Sequence, residues 1–173
     1  LSFIAVMAML LSGGFGWLDT YIRSYTTSTL LQTLYFFAAL AVAAEVLSIP
    51  ADLYRTFVIE QRFGFNKTTP SLYLADLLKG WLLAIIIGGG LLTIIVLIYQ
   101  QTGDWFWLFA WMLITFFTVF ISYFYTTLLV PVFNKLSPLP EGELRTEIEK
   151  VVVKTGFNLR NIFVIDGSKR STR

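Results

Sequence analysis

Four long apolar stretches constrain the fold of this chain more than any other feature. They cover roughly residues 1–17, 30–49, 80–99 and 105–130. A helix rises about 1.5 Å per residue, so about twenty apolar residues cross the roughly 30 Å hydrocarbon layer of a bilayer. The hydrophobic content of 56% and the mean hydropathy of +0.70 lie outside the range of soluble globular domains. The sequence therefore predicts a mainly α-helical integral-membrane bundle with four spans.

The first apolar stretch begins directly at Leu1, without a basic residue before it. A secretory signal peptide normally carries such a basic region ahead of its apolar part. Two interpretations are open: the apolar part of a signal peptide, or a membrane helix whose beginning is missing. We favour the second, and the ending at Arg173 without a structural stop leads us to expect that both termini are cuts.

The distribution of basic residues predicts the orientation in the membrane. The turn at residues 100–104 has no lysine or arginine, whereas the segment after the fourth stretch is rich in both. The segment between the second and third stretches carries Arg55, Arg62 and Lys67, with Lys79 at the next membrane entry. The positive-inside rule then places loop 51–70 and the C-terminal segment in the cytoplasm. The opposite boundary is expected at a set of aromatic residues, namely Tyr99, Trp105, Trp107 and Trp111.

The segment after the fourth stretch has the pattern of a water-soluble domain. We expect Pro131 to end the membrane helix, residues 1–133 to form the membrane region, and residues 134–173 to begin a cytoplasm-facing domain. A helix ending near Gly156 is predicted by an apolar stripe of Leu144, Ile148, Val151 and Val152. A strand is predicted over 161–166, and we expect it to pair with strands outside this sequence.

Polar groups inside the apolar stretches are candidates for the lining of a chamber. Glu45 interrupts the second stretch, and a carboxylate at the centre of a span costs about 2.5–3.5 kcal/mol on insertion scales. It either lines a polar cavity or lies at the membrane interface. In the fourth stretch, one helical face carries Thr115, Thr118, Ser122, Tyr125 and Thr126. This stripe either lines a water-filled chamber or forms hydrogen bonds between helices.

The residues exclude several kinds of site. The chain contains no histidine and no cysteine, so it has neither thiolate ligands nor the two imidazoles of an H-E-x-x-H zinc motif. The acidic residues have no calcium-loop spacing. A net charge of +2 without a basic tract does not indicate nucleic-acid binding. We therefore assign no catalytic or metal-binding residue within this chain.

Three segments resemble signatures of the type I CAAX prenyl protease family. Phe57–Thr68 reads FVIEQRFGFNKT, Val130–Leu144 reads VPVFNKLSPLPEGEL, and Phe163–Ser171 reads FVIDGSKRS. Their order and their positions after the second span, after the fourth span and at the C-terminus also resemble the family. We name residues 57–68 the signature loop, with Glu60, Gly64, Phe65 and Asn66 as its family-signature residues.

The resemblance implies an integral-membrane zinc metalloendopeptidase whose N-terminal membrane portion is this chain. In such proteins a later segment carries H-E-x-x-H and a glutamate as third zinc ligand. They cleave near a prenylated C-terminal cysteine within an intramembrane chamber. For a bacterial member the resemblance implies membrane-protein quality control instead. The implied location is the inner membrane of a bacterium or the endoplasmic reticulum of a eukaryote.

The missing zinc motif leaves two functions open. We predict that the chain alone is inactive and binds no zinc, because the catalytic half lies outside a partial sequence. A natural loss of that half is the other explanation. The alternative function is a noncatalytic membrane scaffold or binding module.

Overall fold

A computed structural model describes residues 2–156 and 161–167, which are mainly helical. The α-helices are α1 (Ser2–Leu11), α2 (Gly14–Arg23), α3 (Thr29–Tyr54), α4 (Pro70–Leu83), α5 (Gly90–Thr102), α6 (Phe106–Phe124), α7 (Val130–Phe133) and α8 (Glu143–Thr155). Between them lie the π-helical segments Arg55–Glu60, Ala84–Gly89 and Tyr125–Leu129 and the 3₁₀ turn Gly103–Trp105. The strands are β1 (Leu136–Pro138) and β2 (Phe163–Ile165).

The first apolar stretch is bent. α1 and α2 meet at 72°, and Gly13 between them has a φ of +71°, a left-handed conformation that glycine adopts without steric strain. α2 continues to Arg23, beyond the expected end of the stretch near Trp17. The apolar stretch thus forms two helices at an angle, and a membrane span at residues 1–17 stays a prediction.

Two helical runs are long and apolar enough to cross a membrane: Thr29–Glu60, with 32 residues, and Pro70–Phe133, with 64. A third is obtained if the bent pair counts as one span. The longer run reverses its direction at Gly103, which has φ +51° and ψ −124°. As a result α7 contacts α4, and α5 contacts both α6 and α3. The number of four spans remains a prediction.

Two prolines lie inside helices, and for Pro131 we had expected a helix end. Pro50 lies within α3, whose run continues to Glu60, and Pro131 lies in the first turn of α7, which continues to Phe133. Pro131 therefore does not end the helix, contrary to our expectation. It follows the π-helical segment Tyr125–Leu129, where the register of backbone hydrogen bonds has already changed. A missing N–H is tolerated in a first helical turn.

The predicted strand exists, but its partner lies within the chain. β2 pairs antiparallel with β1, with Leu136 opposite Ile165 and Pro138 opposite Phe163. The Leu139 N–H donates to the Ile162 carbonyl at 3.0 Å and the Asp166 N–H to the Lys135 carbonyl at 3.3 Å, which extends the ladder. β2 therefore has one partner within the sequence, which our expectation did not include, and its pairing with strands outside the sequence stays a prediction. Pro138 is accommodated because proline is tolerated on edge strands.

Helix α8 agrees with its prediction. It begins at Glu143, and Gly156 follows it with a φ of +68°, the left-handed C-terminal cap expected from glycine. Its apolar stripe is only partly covered, since Leu144 and Val151 keep 63% and 59% of their surface exposed. The α8 stripe therefore lacks much of the packing that an amphipathic helix normally has.

Few apolar side chains are enclosed by the helices. In residues 3–156 and 161–167 the buried apolar set is Ile22, Val96, Val130 and Leu139. Most of the large apolar residues on α6 are exposed, as are Ile94, Leu97 and Tyr99 on α5. An apolar exterior is what a helix presents to lipid, because lipid chains are as apolar as the side chains.

Candidate functional site

The first four residues of the signature loop are the last four of the run Thr29–Glu60, and backbone hydrogen bonds fix the end of that run. The Glu60 carbonyl accepts the N–H groups of Phe65 at 2.9 Å and Asn66 at 3.2 Å. Gly64, with φ +71°, donates its N–H to the Gln61 carbonyl at 3.0 Å. A glycine in left-handed conformation is the usual way to satisfy the last carbonyls of a helix. The loop therefore has a defined backbone conformation.

The second half of the signature loop leads directly into α4. The Asn66 side-chain oxygen accepts the Thr68 N–H at 2.7 Å, which forms a local turn. The Thr69 hydroxyl accepts the Leu72 N–H at 3.2 Å, and Pro70 occupies the first helical turn. A hydroxyl residue followed by proline is a signal in the sequence for a helix start, and α4 begins at this signal.

An ion pair joins the two ends of the π-helical segment Arg55–Glu60, in which the signature loop begins. Arg55 Nε lies 3.5 Å from Glu60 Oε1, although the two residues are five apart in the sequence. In an α-helix, residues three and four apart are neighbours, whereas in a π-helix the hydrogen bonds link residues five apart. The π register therefore brings these two charges together. The Arg55 side chain is 72% exposed, so the pair is at the surface.

Aromatic and acidic groups converge beside the same turn. The rings of Phe57 and Tyr73 meet edge to face, with centroids 5.9 Å apart, and so join the π-helical segment to α4. Asp52 and Glu45 lie on α3, three and ten residues before the start of the π-helical segment at Arg55. Glu45 is half-buried. The structure thus brings Glu45 toward the signature-loop end of the bundle, while its role as a chamber residue remains a prediction.

The predicted polar stripe lies on two different kinds of helix. Thr115, Thr118 and Ser122 are on α6, whereas Tyr125 and Thr126 lie in the π-helical segment that follows. All five are exposed, and the Thr118 hydroxyl donates to the Ile114 carbonyl at 2.8 Å. The 3.6-residue period used to place them on one face does not hold past Phe124. Their assignment to a chamber therefore stays a prediction.

The donor atoms of this chain do not fit a zinc ion. The sequence has no imidazole and no thiolate, which are the ligands that zinc prefers. Over residues 2–156 and 161–167, no three carboxylates come together in a group that could hold a metal ion. The signature loop is thus a structured, charged connection between two membrane-type helices, with no metal-binding chemistry of its own.

The matches to known proteins agree with this geometry. Residues 1–135 match the family model described as CAAX prenyl protease N-terminal, five membrane helices. The chain belongs to the CAAX prenyl protease family. The CAAX prenyl protease 1 homolog of Arabidopsis thaliana is 38% identical over 143 residues, which cover 83% of this chain and 34% of that protein. CAAX prenyl protease 1 of Saccharomyces cerevisiae is 37% identical over 154 residues, with 87% and 33% covered.

A solved member of the CAAX prenyl protease family has the same fold. The crystal structure of S. mikatae Ste24p superposes with a TM-score of 0.88 at 31% identity, and the match covers 97% of this chain and 40% of that one. The chain therefore spans about a third of the length of the curated relatives it matches. It corresponds to the N-terminal membrane region of these proteins.

The sequence reasoning named the signature loop but did not anticipate the contacts that residues within and beside it make. Arg55, Phe57 and Tyr73 acquire their roles through the π register and the contact between two helices. An arginine and a glutamate five apart were the available signal for Arg55. The contact of Phe57 with Tyr73 had none, because sixteen residues and a loop separate the rings.

Proposed function

We propose that this chain is the membrane portion of a zinc metalloendopeptidase that cleaves prenylated or membrane-associated peptides. In this proposal residues 1–133 form the membrane region and residues 134–173 begin a cytoplasm-facing protease domain. The supporting observation is the superposition on S. mikatae Ste24p, which covers 97% of this chain at a TM-score of 0.88. The zinc ligands then come from a part of the protein that this sequence does not include.

The proposed role of the chain is to anchor that domain and to enclose the substrate. In this proposal the chain crosses the membrane four times: once with the bent pair, once with Thr29–Glu60 and twice with the run Pro70–Phe133. The contacts of α5 with α6 and of α4 with α7 support a reversal of that run near Gly103. Glu45 and the polar residues of the fourth span then line the chamber. This arrangement favours a polar peptide path bounded by apolar helices, which is suited to a lipid-modified peptide.

The orientation follows from the loop charges together with the helix contacts. α7 contacts α4, which brings the ends of the helical run Pro70–Phe133 together. We assign the signature loop and the segment after Phe133 to the cytoplasmic side, where the positive-inside rule places basic segments. The protease domain would then lie next to the signature loop.

A chimera tests the proposal. Residues 1–173 replace the matching N-terminal part of S. mikatae Ste24p, and both zinc content and cleavage of a prenylated peptide are measured. We expect about one zinc per chimera and measurable cleavage, with neither in residues 1–173 alone. Unmodified Ste24p is the positive control.

The rival function, a noncatalytic scaffold or binding module, gives a different result. A chimera that is monodisperse and binds zinc, yet leaves the peptide uncut, would show that this membrane region does not support peptide cleavage. Zinc binding or hydrolysis by residues 1–173 alone would contradict the assignment of catalysis to a later segment.

A further inference from the structure

A cavity of about 400 Å³ lies between α2 and α3, away from the signature loop. It is lined by Phe15, Gly16, Asp19 and Arg23 of α2 and by Thr29, Gln32, Thr33, Phe36 and Phe37 of α3. Its volume is in the range of small-ligand sites, roughly 300–1,000 Å³. The signature loop follows the C-terminal end of the run Thr29–Glu60, whereas this cavity adjoins its beginning.

The lining changes from polar to apolar along the helices. Near the α2–α3 turn, the Arg23 guanidinium donates from Nη1 to Gln32 Oε1 at 3.4 Å. Further along both helices, the rings of Phe15 and Phe36 lie with centroids 6.5 Å apart. Phe15 and Arg23 are eight positions apart on α2, which corresponds to about 12 Å along its axis. The cavity is therefore suited to a molecule with a polar end and an apolar end.

The polar end contains both signs of charge. Arg23 Nε lies 2.7 Å from Asp19 Oδ2, and the two side chains are 59% and 44% exposed. A guanidinium has five N–H donors, and these two contacts use two of them. Arg23 therefore keeps donors for a phosphate, which it binds in a forked geometry, and the Asp19 carboxylate can attract a cation.

The surroundings of the cavity are those of a membrane boundary. The α2–α3 turn contains the hydroxyl residues Ser24 to Ser28, and the exposed rings of Trp17, Tyr21 and Tyr25 stand on α2 and at the start of this turn. The phenols of Tyr21 and Tyr25 are hydrogen-bonded at 2.8 Å. Tyrosine and tryptophan are enriched where the headgroup layer begins. The polar end of the cavity thus lies at headgroup level, and its phenyl rings lie deeper.

We propose that this cavity binds the headgroup of a zwitterionic phospholipid, in the leaflet opposite the signature loop. The phosphate contacts Arg23, the ammonium contacts Asp19, and the upper parts of the acyl chains lie against Phe36 and Phe37. A free phosphate would make no contact with the phenyl rings, and a neutral diacylglycerol would bring no charged group to Arg23 or Asp19. The proposal requires only that the chain is embedded in a membrane and is independent of peptide cleavage.

Lipid titration followed by native mass spectrometry tests the proposal on the detergent-solubilised chain. The probes are phosphatidylethanolamine, phosphatidylglycerol, diacylglycerol and inorganic phosphate. We expect phosphatidylethanolamine to bind most tightly and Arg23→Gln to weaken its binding at least tenfold. Asp19→Asn is expected to retain phospholipid binding but to lose the preference for phosphatidylethanolamine over phosphatidylglycerol.

Arg55→Gln is the matched control, because Arg55 is also an exposed arginine paired with a carboxylate but lies beside the signature loop. Its phosphatidylethanolamine affinity is expected to stay within twofold of the unmodified chain. Equal loss in Arg23→Gln and Arg55→Gln would overturn the proposal, because the effect would then be one of general charge.

Two further outcomes would overturn the proposal. Diacylglycerol binding as tight as that of phosphatidylethanolamine would show that the cavity recognises acyl chains only. Displacement of the lipid by equimolar inorganic phosphate would show that it recognises an anion only. Circular dichroism checks the helix content of each variant. If Arg23→Gln loses helix content, Arg23→Lys is measured instead. Phosphatidylethanolamine binding by Arg23→Lys that is weaker than that of the unmodified chain but tighter than that of the double variant Asp19→Asn/Arg23→Lys supports the forked contact. Binding equal to that of the unmodified chain contradicts it.

Discussion

Each end of the helical run Thr29–Glu60 lies beside an arginine–carboxylate ion pair, but the two pairs differ in geometry and surroundings. At its beginning, the neighbouring helix α2 supplies an arginine–carboxylate pair with α-helical spacing, 2.7 Å between Arg23 Nε and Asp19 Oδ2. At its end, Arg55 and Glu60 pair at 3.5 Å across a π-helical segment. The first pair borders a cavity, and the second borders a turn closed by backbone hydrogen bonds.

The signature-loop end of this run has a fixed backbone conformation, whereas its beginning borders a cavity. At the signature loop, a left-handed glycine, an asparagine turn and a threonine cap define the path between two helices. At the cavity, Arg23 and Gln32 join two helices through side chains alone. We therefore expect substitutions at the loop to change stability most, and substitutions at the cavity to change binding most.

The largest effect on stability is expected from Gly64→Ala. Gly64 has a φ of +71°, and a side chain in this left-handed region costs about 1–2 kcal/mol. Unfolding of the chain from mixed micelles by dodecyl sulfate measures the change. Gly80→Ala is the control, because Gly80 lies inside α4 with open space around it and alanine is the better helix former. Equal effects of both substitutions would show that the Gly64 turn is not required for stability.

The next effect is expected from Thr69→Ala, which removes the hydroxyl that accepts the Leu72 N–H. Loss of such a cap typically lowers stability by about 1 kcal/mol. Thr93→Ala is its partner measurement, since the Thr93 hydroxyl bonds back to the Gly89 carbonyl within a helix and caps nothing. An equal loss in both variants, measured by the same unfolding assay, would contradict a capping role for Thr69.

A smaller effect is expected at the cavity end from Phe36→Ala. The Phe15–Phe36 contact is an aromatic pair, and such pairs contribute about 0.5–1.5 kcal/mol. We expect the lower end of that range because lipid replaces part of the lost contact. Tyr35→Ala, at the exposed neighbouring position on α3, is the control. A larger loss of stability for Phe36→Ala than for Gly64→Ala would contradict the expectation that the signature-loop end contributes more to stability than the cavity end.

The smallest effect is expected from Arg55→Gln. Exposed ion pairs contribute at most about 1 kcal/mol, and here we expect less than about 0.5 kcal/mol because the Arg55 side chain is 72% exposed. The same unfolding assay at low and high salt should show little difference between variant and unmodified chain. A loss above 1 kcal/mol that disappears at high salt would mean that this pair holds the π register.

Local sequence signals predicted the features that depend on one or two residues. Thr69 and Pro70 predicted the start of α4, and Gly156 predicted the end of α8, because each acts through its own backbone preference. The signature loop was recognised as a whole, and the family match confirms that recognition. Membrane helices followed from apolar length alone.

Features that depend on distant residues were not predictable in the same way. β1 contains Pro138, which argues against a strand until a partner is found at residues 163–165. The π-helical segments change the helix register, so a 3.6-residue pattern could not place Tyr125 and Thr126. The cavity requires the bend near Gly13 and the packing of α2 on α3, neither of which a linear pattern expresses.

The short β1–β2 ladder also limits the distance between the end of α7 and Ile165. Fully extended, the residues between Phe133 and Ile165 would span on the order of 100 Å at about 3.3 Å each. Because Ile165 is opposite Leu136, the ladder shortens this tether to the few residues between α7 and β1, or about 10 Å. Whatever follows Ile165 thus starts close to the end of α7, and a short tether raises the local concentration of any group it carries.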